Sequence, residues 1–209
     1  MSYAVVFSSR TGNTELLAKT IREALGAEGC VYFGVPDAAA LQADTLELAR
    51  MEDAAACYGI IEDGRAFQQE QGFVQWTKSY PDLDAIRQDI RAGDGYLIRV
   101  DGENAGYVSV GFDGEPAYAS IAGQWHTEEP YAVIRRMAFA RRFQGTGLSG
   151  TAFDLIDALC RSKGVRNIRI NTAPPNLRMQ HVLEKNGFSR CGVIVFQGGE
   201  KIAYDKTLP

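Results

Sequence analysis

The chain has 209 residues, 45% hydrophobic, 23% charged and 10% aromatic, enough apolar material to bury a core and unlike the composition of a disordered chain. Its net charge of −4 argues against nucleic acid as the main partner, because a phosphate backbone demands a basic surface. No run reaches the roughly 18 consecutive apolar residues of a membrane-spanning helix, and the start, MSYAVVFSSR, lacks the marks of a secretion signal. A cytoplasmic protein with no membrane partner is therefore expected. Cys30, Cys57, Cys160 and Cys191 form no C-x-x-C pair, and His126 and His181 are the only histidines. Zinc ribbons, redox dithiols and histidine-rich metal sites are excluded on that ground, and no metal is expected.

Residues 1–36 read as strand, helix, strand: Tyr3 to Ser8, Thr14 to Leu25 with an apolar stripe of Leu16, Leu17, Ile21, Ala24 and Leu25, and Cys30 to Val35. Gly26 is placed to stop the helix, and Pro36 and Asp37 close the unit. An alanine-rich stretch over 37–44 reads as a linker, and a second pattern starts at Thr45 and runs to the end of the chain, 45–209. It opens with a strand at Thr45 to Arg50 and a helix from Asp53 to about Gln71 with Asp53 as N-cap. Phe73, Trp76, Tyr80 and Pro81 mark an aromatic loop, and Pro81-Asp82 opens a helix through Ile86 and Ile90 that ends near Gly93. The strands Tyr96 to Val100 and Ala105 to Phe112 flank a four-residue turn, Asp101-Gly102-Glu103-Asn104, and so form a hairpin. A loop from Asp113 to Pro130 leads into the strand Tyr131 to Ala140. Arg135 and Arg136 on that strand point to opposite faces and cannot both be buried unpaired. A helix to Lys163 follows, then the strand Arg166 to Asn171, a helix from Pro175 to Asn186 stopped by Gly187, and a hairpin of Phe188 to Phe196 with Lys201 to Asp205 around Gly198-Gly199.

The sharpest signal is the turn Gln144-Gly145-Thr146-Gly147-Leu148-Ser149-Gly150 between a strand and a long helix. Glycines there let a phosphate approach the backbone at the positive end of a helix, although a Gly-x-Gly after a strand is often only a tight turn. The segment is Q-x-x-G-x-S, which resembles the Q/R-x-x-G-x-G/A pyrophosphate loop of the GNAT acetyltransferase superfamily. Ser149 stands where glycine or alanine is usual. The resemblance runs from Thr45 to about Leu208 and includes the strand YAVIRRMAFA, the strand VRNIRINTA and the helix segment NLRMQHVLEKNGF followed by a hairpin. It implies an α/β fold, an α+β mixed sheet of the GNAT-like acyl-CoA N-acyltransferase type.

The same resemblance implies acetyl-CoA as cosubstrate. Backbone amides of Gly145, Thr146, Gly147, Leu148 and Ser149 would cradle its pyrophosphate beside Gln144, with Arg141 and Arg142 adding charge. The pantetheine arm would run along Arg136 to Phe139, where an N–H near Met137 or Ala138 would polarise the thioester carbonyl. Met137, Ala138, Phe139 and Asn176 complete the implied cofactor contacts, Asn176 being equally readable as a helix N-terminal residue. The family's usual acid, a tyrosine four residues before the glycine of the G-F pair, is Leu183 here, so Tyr131 or a water would substitute. Candidate bases are His126, Glu128 and Glu129, which also read as an ordinary solvated cluster. Trp76, with Gln75 and Phe73, lies in a region that often walls the acceptor site.

Ser9-Arg10-Thr11-Gly12-Asn13-Thr14 resembles the T/S-x-T-G-N-T phosphate loop of flavodoxins. That likeness ends near Val35, before any counterpart of the loops that clamp a flavin ring, so a truncated flavodoxin-like βαβ appendage is expected and FMN binding is not. Its apolar strands need a partner: the second domain, each other, or a second copy in a homodimer. The expected function is N-acetyl transfer to a small-molecule amine or amino-acid-like acceptor by direct attack in a ternary complex. A non-catalytic acyl-CoA sensor and a flavin-dependent redox protein are the alternatives.

Overall fold

The computed structural model describes residues 3–6, 13–25, 30–34 and 42–209. The chain divides into two compact units, Met1–Gln42 and Ala43–Pro209. In the first, β1 (Tyr3–Val6) and β2 (Cys30–Gly34) pair in parallel, and α1 (Asn13–Leu25) connects them. The phosphate-type loop at 9–12, Gly26, Pro36 and most of the predicted linker lie outside the described residues. On α1 the stripe residues Ile21 and Leu25 are exposed.

The second unit is built on an eight-stranded sheet. It contains β3 (Thr45–Leu48), α2 (Ala54–Glu70), α3 (Leu83–Ala92), β4 (Gly95–Val100), β5 (Glu103–Gly111), β6 (Ala122–Gly123), β7 (Tyr131–Phe139), α4 (Ser149–Ser162), β8 (Asn167–Thr172), α5 (Leu177–Lys185), β9 (Ser189–Phe196) and β10 (Gly199–Thr207). The strand order is β3-β4-β5-β7-β8-β10-β9-β6, and only β7 and β8 are parallel neighbours, the rest antiparallel. Alternation along the strands divides the core: Tyr96, Ile98, Val108, Val110, Ala132 and Ile134 pack with α4 and α5, while Leu97, Tyr107 and Ala138 pack with α2 and α3. No helix among the described residues is long and apolar enough to cross a membrane.

Local chemistry sets the bounds of α3. Asp82 caps α3 by accepting from Ala85 N–H at 2.8 Å, and Gly93 ends it in the left-handed region at φ 79°. Asp53 corrects expectation: its own backbone is helical and it does not cap α2, but instead accepts from Arg50 N–H at 2.8 Å across a 3₁₀ turn at Met51–Asp53. The β4–β5 connection is also tighter than expected. Val100 pairs with Glu103, leaving Asp101 and Gly102 as a two-residue turn at φ 49° and 75°, the double positive φ of a type I′ hairpin. Within the predicted loop 113–130 lie a 3₁₀ helix at Pro116–Ser120 and the two-residue β6, which pairs with β9.

Candidate active site

The parallel pair β7–β8 is in register only from Tyr131↔Asn167 to Ile134↔Ile170. Past that point β7 keeps its partner on one side, with Phe139 opposite Gly106, and its other edge faces a gap. A bulge sits where the strands part: Tyr107 opposes Ala138 and Ser109 opposes Arg135, so Arg136 and Met137 together oppose Val108. Arg136 takes φ 54° to make it. Without the extra residue Ala138 would share a face with Ile134; with it, Ala138 is buried beneath α2 instead. The splayed strands open a cleft lined by Ile134, Met137, Ile170 and Thr172, with Gln75, Trp76 and Tyr80 from the α2–α3 loop and Phe196, Gln197 and Lys201 from the β9–β10 hairpin.

The glycine-rich turn lies just beyond β7. Gly145 and Gly147 have φ 79° and 86°, conformations only glycine adopts without strain. The backbone N–H groups of Gly145, Thr146, Gly147, Leu148 and Ser149 find no acceptor among the described residues. They lead into the N-terminus of α4, so unspent donors and the positive helix end converge, which suits a pyrophosphate. The side chains there do different work. Gln144 Nε2 donates to the carbonyls of Phe139 (3.0 Å) and Asp63 (3.2 Å), tying the turn to β7 and α2. Thr146 Oγ1 donates to Phe143 O at 2.8 Å, and Leu148 is buried in the core, so both present backbone only. Arg141 pairs with Glu70 and Arg142 with Glu103. Arg178, at the start of α5, was not singled out from sequence. Its guanidinium lies over the Phe67 ring and would stand 3.6 Å from a Cβ on Gly145.

The two adjacent arginines of β7 are both paired. Arg135 donates to Glu115 Oε2 at 3.1 Å and Gly114 O at 2.9 Å. Arg136 grips both oxygens of the buried Asp89 at 2.7 and 2.8 Å and donates to the Tyr80 hydroxyl at 2.6 Å. Burial works against the charge of Arg136, but Asp89 and Tyr80 outweigh it and raise its pKa. Tyr107 donates its hydroxyl to Asp89 at 2.9 Å, and burial with Asp89 alongside pushes its pKa upward, so it stays a neutral donor. Asp89, Tyr80 and Lys201 were not foreseen as site residues; the pairing demand of Arg135-Arg136 hinted only at a carboxylate such as Asp89. Lys201 has no ion pair among the described residues, and desolvation lowers its pKa from 10.5.

Gln75 spans the cleft. Its backbone N–H and that of Trp76 donate to Gln68 Oε1 at 3.1 and 2.9 Å, while its own Oε1 accepts from Ala173 N–H (3.2 Å) and Asn176 Nδ2 (3.2 Å). Asn176 caps α5, its Oδ1 accepting from Met179 N–H at 3.1 Å, and lines the cleft as well. Trp76 lines it too and packs over Gly64.

The acid and base candidates from sequence lie elsewhere. Tyr131 and Glu128 line a different hollow with Glu115, Tyr118, Trp125 and Arg169. The Arg169 guanidinium is held between the Tyr131 and Trp125 rings at 3.9 and 4.2 Å. His126 Nδ1 lies 2.7 Å from Asp205 Oδ1, and the Glu129 N–H donates to Thr127 Oγ1 at 3.1 Å, its side chain outside both hollows. Leu183 is fully buried. Cys57 and Cys160 are buried thiols pushed up to about 12 by desolvation, which leaves them inert.

Comparison with known proteins bears on the fold and the family. The family model for the acetyltransferase (GNAT) family matches residues 56–188, and the chain belongs to that family. An acetyltransferase of the GNAT family from Streptococcus agalactiae shares the fold at a TM-score of 0.72, 29% identical, over 79% of this chain and 95% of its own. A GNAT-family acetyltransferase from Listeria monocytogenes, at 21% identity, a TM-score of 0.63 and coverage of 78% and 94%, shares the fold. So does AAC(6')-Ib, solved with ribostamycin and coenzyme A, at 24% identity and a TM-score of 0.58 over 78% of this chain and 92% of its own. The flavodoxin-like domain-containing protein BilS from Clostridium symbiosum is 52% identical over 50 residues, 22% of this chain and 26% of that relative. The chain thus spans about a quarter of that curated relative.

Proposed function

We propose that the protein transfers the acetyl group of acetyl-CoA to the amine of a small acceptor that also carries an anionic group. The use of acetyl-CoA rests on one observation: β7 and β8 part after Ile134 and Ile170, beside a turn of five unspent backbone donors. That turn fits a pyrophosphate, and Arg178 stands beside it as a second source of charge. Acetyl-CoA, when bound, supplies the activated acyl group. The unpaired edge of β7 orients the thioester, and the N–H near Met137 polarises its carbonyl, the bulge at Arg136 having turned this stretch out of ladder register.

Among the residues lining the cleft there is no carboxylate and no histidine. The acceptor therefore attacks as the free amine, the nitrogen then loses its proton to solvent, and Tyr80, the cleft's phenol, serves as the proton donor to the departing thiolate. Its hydroxyl already accepts from Arg136, which orients its own proton away from that pair. The arginines are neutralised by Glu115 and Asp89, so Lys201 is the uncompensated charge of the cleft. An acceptor with a carboxylate, phosphonate or phosphate beside its amine satisfies it.

The deciding experiment is calorimetric titration with acetyl-CoA, with FMN in parallel, followed by thiol-release assays over neutral, cationic and anionic amines. Micromolar 1:1 acetyl-CoA binding and amine-dependent release of CoA are expected, fastest with anionic amines; absence of binding ends the reading. Binding with no release for any amine would favour the acyl-CoA sensor, a reading supported by the buried Leu183 at the family's tyrosine position.

A further inference from the structure

His126, Cys191 and Asp205, far apart in sequence, place one ligand atom each within 4.8 Å of one another. His126 Nδ1 lies 2.7 Å from Asp205 Oδ1 and 3.6 Å from Cys191 Sγ. Three features of the backbone bring them together. The first is a bulge in β9: Ala203 opposes Gly192 and Tyr204 opposes Arg190, so Cys191 is the extra residue, and a bulge re-aims the side chain it carries. The second is a close approach between β6 and β9, where Gly123 pairs with Gly192. Both glycines take positive φ, and a Cβ on Gly123 would collide with the Cys191 carbonyl. The third is the chain after β6. Gln124 N–H donates to Cys191 O at 3.0 Å and His126 N–H to Asp205 Oδ2 at 2.8 Å, so the backbone fixes the carboxylate while its other oxygen faces the imidazole and thiol.

We propose that these three side chains form a binding site for zinc or a similar borderline transition ion, apart from the acetyltransferase cleft. An imidazole nitrogen, a thiolate and a carboxylate are the donor set zinc prefers, and three protein ligands leave the fourth tetrahedral position to water. Zinc bonds of about 2.0–2.3 Å put the ligand atoms of a tetrahedron roughly 3.2–3.8 Å apart. The Cys191–His126 separation already matches. The Asp205–His126 pair needs to open by roughly 0.5 Å to reach that range, a small ring rotation for an imidazole whose side chain is 56% exposed. Binding displaces the Cys191 thiol proton to solvent, and one thiolate plus one carboxylate balance a divalent ion. The Asp205–His126 N–H bond supplies the outer support that holds a ligating carboxylate in place. Bound there, the ion ties the 113–130 segment to the β9–β10 hairpin.

The test uses the full chain freed of metal with chelator and titrated with Zn²⁺ by calorimetry, with Co²⁺ as a spectroscopic probe. Expected are 1:1 Zn²⁺ binding, a rise in thermal midpoint on adding Zn²⁺, and a thiolate-to-cobalt charge-transfer band. Cys191→Ser and His126→Ala should each weaken Zn²⁺ binding at least tenfold and remove the rise, and Cys191→Ser should remove the band. Both variants change partly exposed side chains, so folding is checked by circular dichroism without metal. No binding to the parent protein, or binding that survives in either variant, overturns the site.

Discussion

At Gly147 a side chain has room, since nothing stands within 4 Å of where a Cβ would be, but φ is 86° and the neighbouring donors are unspent. Gly147→Glu is therefore expected to fold, at a cost of about 1–2 kcal/mol for the left-handed backbone, and to weaken acetyl-CoA binding at least about tenfold by setting a carboxylate against the pyrophosphate. Calorimetry and thermal denaturation on the same sample separate the two effects. Lys201 gives a pH dependence. Desolvation lowers its pKa from 10.5, so its charge is lost as the pH rises through a value below that. The KM for anionic amines should climb over this alkaline range while that for uncharged amines follows only their own titration. Lys201→Ala should erase the difference and lower kcat/KM for anionic amines about tenfold, the low end of the roughly 1.5–3 kcal/mol of a hydrogen bond to a charged group. The positive-φ glycines of the turn were legible in the sequence because backbone freedom is a property of residue type. The sequence did not point to Asp89, Tyr80 or Lys201, which come from α3, a loop and β10 and whose contacts and place at the cleft arise only where those elements meet.

Among the elements, helices with local punctuation were legible: Asp82 and Gly93 cap α3 through contacts within its own turn. Asp53 misleads because two N-terminal geometries overlap there, and the 3₁₀ turn captures the carboxylate before α2 begins. The two-residue β6 carries no periodicity at all. It exists because Gly123 and Gly192 allow two backbones to meet, so Gly123→Ala should destabilise the unit by about 1–3 kcal/mol through overpacking. A fall in thermal midpoint of roughly 2–12 °C follows for a domain of this size. An unchanged midpoint would show that β6 contributes nothing to the sheet. The bulge in β7 was equally hidden, since Arg135-Arg136 reads as plain alternation and only pairing with β5 reveals the extra residue.

For the whole molecule, the division between Met1–Gln42 and Ala43–Pro209 carries a prediction. A fragment of residues 43–209 holds the whole eight-stranded sheet and both faces of its core, so it should unfold cooperatively and bind acetyl-CoA within about threefold of the full chain. Loss of cooperative unfolding would show that the first unit belongs to the core. Sedimentation of both lengths reads out whether the exposed Ile21 and Leu25 of α1 pair two copies. By itself the sequence determined what depends on short-range chemistry: the order of the strands and helices other than β6, the glycine-rich turn before α4, and membership of the GNAT family through motifs carried on those elements. Only the tertiary structure decided where β7 leaves β8, which arginine meets which carboxylate, and that His126 stands beside Asp205 and Cys191 and away from the cleft. Those relations join residues up to 79 positions apart, and their geometry is set by sheet register and bulges, which shift every later side chain without leaving a local mark in the chain.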